Sequence, residues 1–129
     1  MTQFTSSSSF THDFSHYPQE IQSAFRVLHQ EIAGLQALSE VLDHRFLKAI
    51  ALIRACKGRV IVSGMGKSGH IARKMAATFA STGTPSFFVH PGEASHGDLG
   101  MITPNDIVML LSNSGETPEL QDIIRYSKR

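Results

Sequence analysis

The chain has 129 residues, of which 41% are hydrophobic, and a formal net charge of +1. Its twelve basic residues are scattered, which argues against a nucleic-acid-binding surface, because such a surface needs a basic stripe or patch. The single cysteine, Cys56, excludes an internal disulfide framework and a Cys-based zinc site. No apolar run approaches the roughly 18 residues of a membrane span, and the first residues do not resemble a secretory signal, so we expect a cytoplasmic protein.

The first part of the chain is predicted to be a tail followed by helices. Residues 1–17 are rich in Ser and Thr and show no periodicity, which predicts a disordered tail. From Pro18, apolar residues recur at spacings of three and four, which predicts an amphipathic helix. A second helix is expected from Asp43, a plausible N-cap, to Cys56, with Gly58 as a stop. Residues 18–57 are therefore interpreted as N-terminal helices.

Residues 58–129 alternate short apolar runs with helical patterns. Three runs predict strands: "RVIVS" at 59–63, "SFFVH" at 86–90 and "IVMLLS" at 107–112. We expect a helix after the first strand to about residue 81, a loop-rich stretch at 91–106 and a last helix over 118–129. This order predicts an α/β fold with a parallel sheet and right-handed crossovers. Parallel sheets commonly have five or more strands, so three strands indicate a partial domain.

The loop "GMGKSGH" at residues 64–70 matches parts of two phosphate-binding motifs. A Walker A loop would need a glycine five positions before Gly66, where Ile61 stands. The dinucleotide motif G-x-G-x-x-G would need an acidic residue at the end of the second strand, where His90 stands, and the next acid is Glu93. Neither nucleotide motif is complete, which argues against a P-loop and against nicotinamide or flavin binding.

A second polar loop, "SNSGET" at residues 112–117, follows the third predicted strand. It combines three hydroxyls with a run of backbone amides before a helix, a pattern typical of an anion site. The alternative is that a hydroxyl merely caps the helix. Because the carboxyl ends of parallel strands meet at one edge of a sheet, both loops should flank one crevice. A small phosphorylated metabolite is then the expected ligand.

These loops carry a family resemblance. "SNSGET" resembles the phosphate loop of sugar isomerase (SIS) domains, and "GMGKSGHIARKMAATFASTGTPSFFVHPGEASHGDLGMITPND" is similar to the arabinose 5-phosphate isomerase branch of that family. The resemblance covers residues from about 59 to 125. It implies a three-layer αβα fold in residues 58–129. It also implies an enzyme that interconverts D-ribulose 5-phosphate and D-arabinose 5-phosphate through an enediol. The product would supply synthesis of the octulosonate sugar of lipopolysaccharide.

The resemblance also implies roles for individual residues. Lys67 and Glu119 match catalytic positions, although alone they would be interpreted as a solvated cation and a carboxylate at a helix start. His90 matches a position that can also take zinc, while no cofactor is required; alone, His90 and His96 would be interpreted as structural. The implied sugar-phosphate-binding residues are Ser68, Gly83, Thr84, His90, His96, Ser112, Asn113, Ser114 and Thr117. Without the resemblance, Gly83 and Thr84 would simply end a helix.

The family differs from this chain in ways that keep alternatives open. Its catalytic set includes a second glutamate and a histidine on segments later than residue 129, and many members carry paired CBS modules. Its members form tetramers whose sites draw on neighbouring subunits, so a homo-oligomer is expected. The main alternative function is a non-catalytic SIS module that senses a sugar phosphate. A dehydrogenase remains a third possibility, on the G-x-G-x-x-G spacing alone.

Overall fold

The computed structural model describes residues 13–129, which divide into one compact unit ending at Asp43 and another from His44 to Arg129. The first twelve residues of the predicted tail lie outside the described residues. The division falls between the two N-terminal helices, whereas the sequence groups both helices together. In the part of the chain that is described, no helix is long and apolar enough to cross a membrane.

The first unit contains one long helix, α1, Gln19–Val41. The helix begins directly after Pro18, where the sequence predicts it, since proline has no N–H to bond and is tolerated at a helix start. Phe14 stacks on Phe25 of the helix, with ring centroids 3.8 Å apart. The predicted apolar stripe is present on α1, but most of its side chains are exposed: Ile21, Leu28, Ile32, Leu35 and Leu38.

The second unit begins with α2, His44–Ala55, and is built on a three-stranded parallel sheet. Its strands are β1, Val60–Gly64, β2, Ser86–Phe88, and β3, Ile107–Leu111. The strand order is β2-β1-β3, so the first strand lies in the middle and is fully buried. Val60 pairs with Ser86 on one side and with Ile107 on the other. The predicted strands and their parallel arrangement are confirmed.

Helices cover both faces of the sheet. Alternate residues of β1 point to opposite faces, so Ile61 belongs to one buried cluster while Val60 and Val62 belong to the other. The helix α3, Gly66–Ser81, packs on the second cluster through Ala72 and Ala76, and Ile53 of α2 joins it. The opposite face is covered by α4, Pro91–Ser95, a 3-10 turn at Asp98–Met101, and α5, Gln121–Ser127. This is the three-layer αβα arrangement that the sequence predicts.

Two of these elements differ from the sequence-based expectation. The stretch 91–106, predicted to be loop-rich, contains α4 and the 3-10 turn at Asp98–Met101, which are too short to produce a periodic pattern. The last helix was expected from Pro118, but residues Pro118–Leu120 form a 3-10 turn before α5 begins. Pro118 is at the predicted first-turn position, so the error concerns the type of turn and not its location.

The start of α3 lies unusually close to β1. A Cβ atom added to Gly69 would lie 2.6 Å from the carbonyl oxygen of Gly64, a distance that real Cβ atoms essentially never show. Only glycine therefore allows this approach of helix and strand. Gly66, with a φ of 54°, provides the left-handed turn that leads from β1 into α3. The glycine spacing of "GMGKSGH" is thus explained by the backbone of the turn, without any nucleotide.

An ion pair with a buried carboxylate joins the amino ends of β1 and β3. The Asp106 carboxylate, 1% exposed, accepts hydrogen bonds from the backbone N–H of Arg59 at 2.7 Å, from the Arg59 guanidinium and from the Thr103 N–H at 2.8 Å. Burial by itself would raise the pKa of Asp106, but these hydrogen bonds outweigh burial and hold that pKa well below its usual range. The Arg59 guanidinium also donates to the Met101 carbonyl and lies over the Phe87 ring. The pair fixes the register of β1 and β3 at the end of the sheet away from the loops.

Candidate functional site

An open cleft of about 760 Å³ lies at the carboxyl ends of β1 and β3. The connection after β1 leads to β2 on one side, and the connection after β2 returns to β3 on the other side of β1. The strand order therefore reverses between β1 and β3, which is where open α/β sheets bind their ligands. Both polar loops reach this cleft, whose lining includes Lys67, Ser68, Ser112 and Asn113. The prediction that the two loops flank one crevice is confirmed.

The first wall of the cleft is the start of α3. Lys67 and Ser68 occupy the first turn of this 16-residue helix, directly after the left-handed Gly66. Lys67 is exposed and Ser68 is half-buried, so the cation is open to a ligand while the hydroxyl is partly shielded. The positive end of the helix dipole and the first free N–H groups of α3 add to the charge of Lys67. This wall favours an anionic ligand.

The second wall is the "SNSGET" loop, which is braced by its own hydroxyls. Ser112 Oγ shares a hydrogen bond of 2.7 Å with Thr117 Oγ1 and accepts another, of 2.9 Å, from the Gly115 N–H. Ser114 Oγ accepts a hydrogen bond of 3.1 Å from the Glu116 N–H. Thr117 precedes the 3-10 turn but makes no capping hydrogen bond to it. The hydroxyls therefore shape the loop and do not serve simply as helix caps, which was the alternative interpretation.

His90 lies at the carboxyl end of β2, on the other side of β1 from the "SNSGET" loop. It is half-buried, and its ring nitrogen Nδ1 accepts a hydrogen bond of 3.2 Å from the Gly92 N–H at the start of α4. Behind it, the buried Ser63 hydroxyl donates to the Val89 carbonyl at 2.6 Å. No sequence pattern pointed to Ser63, because its partner is 26 positions away along the chain. The backbone before His90 is thereby fixed to the central strand.

Glu119 and His96 lie on the helices that cover the other face of the sheet. Glu119 is exposed in the 3-10 turn after the "SNSGET" loop, and His96 is exposed at the end of α4. A hydrogen bond of 2.8 Å from Ser95 Oγ to the Asp122 carboxylate joins α4 to α5. This hydrogen bond holds α4, which follows His90, beside α5, which follows Glu119. Sequence analysis did not single out Ser95 or Asp122, because only the packed helices bring them together.

Gly83 and Thr84 lie at the opposite end of the sheet from the cleft. They follow α3 and precede β2, and the first residue of β2 is level with the first residue of β1. The cleft, by contrast, lies where the strands end. One chain therefore does not bring Gly83 and Thr84 to the same ligand as Lys67. Their assignment as sugar-contacting residues stays a prediction that would need a neighbouring subunit.

Zinc at His90 also stays a prediction, and the surroundings of His90 do not fit it. Within residues 13–129, no group of three or more His, Cys, Asp or Glu side chains is placed to hold a metal ion. A zinc site needs three or four such ligands, and the Nδ1 atom of His90 already accepts the Gly92 amide. No step of the chemistry below involves a metal.

Comparison with known proteins gives the same family. The SIS domain model matches residues 52–129. The arabinose 5-phosphate isomerase KdsD of Yersinia pestis is 58% identical over 108 residues, which are 84% of this chain and 33% of that protein. The arabinose 5-phosphate isomerase KpsF of Escherichia coli is 56% identical over 108 residues, with the same 33% of its length matched. The chain thus spans about a third of the length of these curated relatives.

A solved structure agrees with the sequence comparisons. The protein c3406 of E. coli CFT073, in complex with arabinose 5-phosphate, superposes with a TM-score of 0.72 and is 47% identical. The match covers 86% of this chain and 61% of that one. The fold of this chain therefore has an experimental counterpart.

Proposed function

Because this chain belongs to the SIS domain family, we propose that it supplies the sugar-phosphate site of an arabinose 5-phosphate isomerase. The single observation that carries the proposal is the cleft in which the Lys67–Ser68 turn faces the "SNSGET" loop. The matched relatives are named arabinose 5-phosphate isomerases, and the c3406 structure contains arabinose 5-phosphate. Turnover is proposed for a protein of the full length of these relatives, of which this chain corresponds to one third.

The phosphate is proposed to bind at the "SNSGET" loop. A phosphate needs hydrogen-bond donors, and the loop offers hydroxyls of Ser112, Ser114 and Thr117 together with backbone amides. The existing hydrogen bonds of Ser112 hold the loop in shape before a ligand arrives, which lowers the entropy lost on binding. Asn113 and Ser68, which line the cleft, are proposed to contact the sugar phosphate as well.

The chemistry moves a proton between C1 and C2 of the sugar through an enediol. This needs a base for the carbon-bound proton, an acid or base for the oxygens, and a positive charge near the developing enediolate. Lys67 is proposed to provide that charge or to position the phosphate, since it is the exposed cation of the cleft wall. Glu119 is proposed as an acid or base. The two further catalytic groups implied by the family resemblance belong to later segments.

The homotetramer, the cytoplasmic location and the role in lipopolysaccharide synthesis are parts of the same proposal. The family resemblance supports the homotetramer and the role in lipopolysaccharide synthesis, and the KdsD and KpsF relatives are named arabinose 5-phosphate isomerases. If Gly83 and Thr84 contact the sugar, as the family resemblance implies, a second subunit must bring this turn to the ligand, because in one chain it lies away from the cleft. Size-exclusion chromatography with light scattering tests the assembly directly.

Binding and turnover are tested separately. D-arabinose 5-phosphate at about 100 times its dissociation constant should stabilise the fold by roughly 2.7 kcal/mol, seen as a higher melting temperature. Lys67→Met should weaken this effect, whereas Lys74→Met, an exposed lysine on the same helix, should not. Formation of D-ribulose 5-phosphate by the longer protein would establish the isomerase. Binding without turnover would instead indicate the sensing module, and stabilisation by a nicotinamide cofactor alone would contradict both.

A further inference from the structure

The hydrogen bond between Gly92 and His90 determines where the neutral His90 ring carries its proton. A backbone N–H can only donate, so the Nδ1 atom that receives it at 3.2 Å must present a lone pair. A neutral imidazole has one protonated nitrogen, which is then Nε2. The arrangement belongs to the chain itself: His90 is the N-cap of α4, and Pro91, next in the helix, has no N–H to compete for the cap.

The surroundings of His90 hold the ring in this orientation. The Val89 N–H donates to the Val62 carbonyl at 3.1 Å, and the Ser63 hydroxyl donates to the Val89 carbonyl. The backbone leading into His90 is therefore tied to the buried central strand through both the N–H and the carbonyl of Val89. The Phe88 ring meets the His90 ring edge-on, with centroids 6.3 Å apart. Rotation of the His90 ring away from Gly92 would break the Gly92–His90 hydrogen bond, while the backbone would stay where the central strand holds it.

We propose that the Gly92 amide holds neutral His90 as the Nε2–H tautomer, which can donate a hydrogen bond to a sugar oxygen and cannot ligate zinc without losing the cap of α4. The proposal rests on the sugar-phosphate function given above for the identity of the ligand. The group that it selects is an oxygen lone pair, such as a carbonyl or hydroxyl oxygen. A neutral Nε2–H donor polarises a carbonyl without removing a proton, which leaves the base role to another group.

Zinc binding would require the opposite tautomer. A zinc ligand uses a ring-nitrogen lone pair, and the other ring nitrogen then carries the proton and donates it. If zinc bound at Nε2, Nδ1 would be protonated and its hydrogen would face the Gly92 N–H, so the cap of α4 would be lost. If zinc bound at Nδ1, it would have to displace Gly92. Either mode opposes the structure of the loop.

The tautomer is measured directly by nitrogen NMR of the chain labelled with 15N-histidine, with no ligand needed. The His90 signals are assigned by their loss in His90→Gln. We expect the proton on Nε2 in the neutral ring, and no change at His90 when one equivalent of zinc is added. A proton on Nδ1, or a shift of the Nε2 signal with equimolar zinc, would overturn the proposal.

A matched pair of variants separates the cap from the donor. Asn at position 90 keeps a good capping acceptor for Gly92 but offers nothing at the position of Nε2, so H90N should melt like wild type and bind D-arabinose 5-phosphate about tenfold more weakly. Gln places an N–H₂ near the position of Nε2 but loses the cap, so H90Q should melt several degrees lower and bind within about threefold of wild type.

The pair also distinguishes failure of this proposal from failure of the proposed function. If H90N binds the sugar phosphate as tightly as wild type, no donation from Nε2 exists, and the inference is wrong while the function stands. If wild type does not bind the sugar phosphate, the function and the donor role are both rejected. The NMR measurement then still decides the tautomer by itself.

Discussion

The buried carboxylate of Asp106 offers the sharpest test of what holds the sheet together. In the Asp106→Asn variant the Arg59 guanidinium faces an amide in place of a carboxylate, and the two backbone N–H groups lose a charged acceptor. Breaking a buried ion pair costs about 3–5 kcal/mol. The Arg59 side chain is 41% exposed and can regain water, so we expect the lower end, about 3 kcal/mol.

Urea unfolding followed by circular dichroism measures this loss of free energy. The control is Asp122→Asn on the exposed surface of α5, where an amide oxygen can still accept from Ser95, and we expect a change within about 0.5 kcal/mol. The direction in which the Asp106 contribution to stability changes with pH follows from the lowered pKa of Asp106. Its contribution is fully present above about pH 4 and is lost as pH falls through the folded-state pKa, so the gap between wild type and Asp106→Asn should narrow in acid. A gap below about 1 kcal/mol at neutral pH would refute the reasoning.

Two further substitutions test packing near the cleft. Gly69→Ala should lower the free energy of unfolding by about 1–3 kcal/mol, because its Cβ would meet the Gly64 carbonyl. Gly100→Ala, whose Cβ meets no atom within 4 Å, is its control, and equal urea midpoints for the two would show that the helix does not approach β1 so closely. Ser63→Ala should cost about 1–3 kcal/mol, because it leaves the Val89 carbonyl without its buried donor. Wild-type stability in that variant would mean that another donor replaces Ser63.

The sequence predicts the sheet well because its signals are local. β1 is buried on both faces, and its run of branched apolar residues therefore identifies it without knowledge of its neighbours. The two polar loops follow strands directly, so the parallel arrangement alone brings them to one edge. The location of the cleft follows from chain order and needs no side-chain detail.

The remaining features have no recognisable sequence signal, for reasons that differ from one feature to the next. Arg59 and Asp106 are 47 positions apart, and nothing near either residue in the sequence indicates the pair. The helix α4 has five residues, fewer than two turns, so no periodicity identifies it. The His90 cap is local, two residues from its donor, but a histidine nitrogen is not among the usual capping groups. Three-dimensional packing was needed for each.

The position of β1 in the middle of the sheet has a consequence for synthesis on the ribosome. Of the three described strands, the central one is made first, and Asp106 at the start of β3, which pairs with Arg59 beside that strand, follows Arg59 by 47 residues. At about 5–20 residues per second, that interval lasts roughly 2–9 seconds. During it the strand most dependent on burial has at most one neighbour, β2, which is only three residues long. A chaperone bound over β1 during this interval would therefore shield apolar surface that β3 later covers.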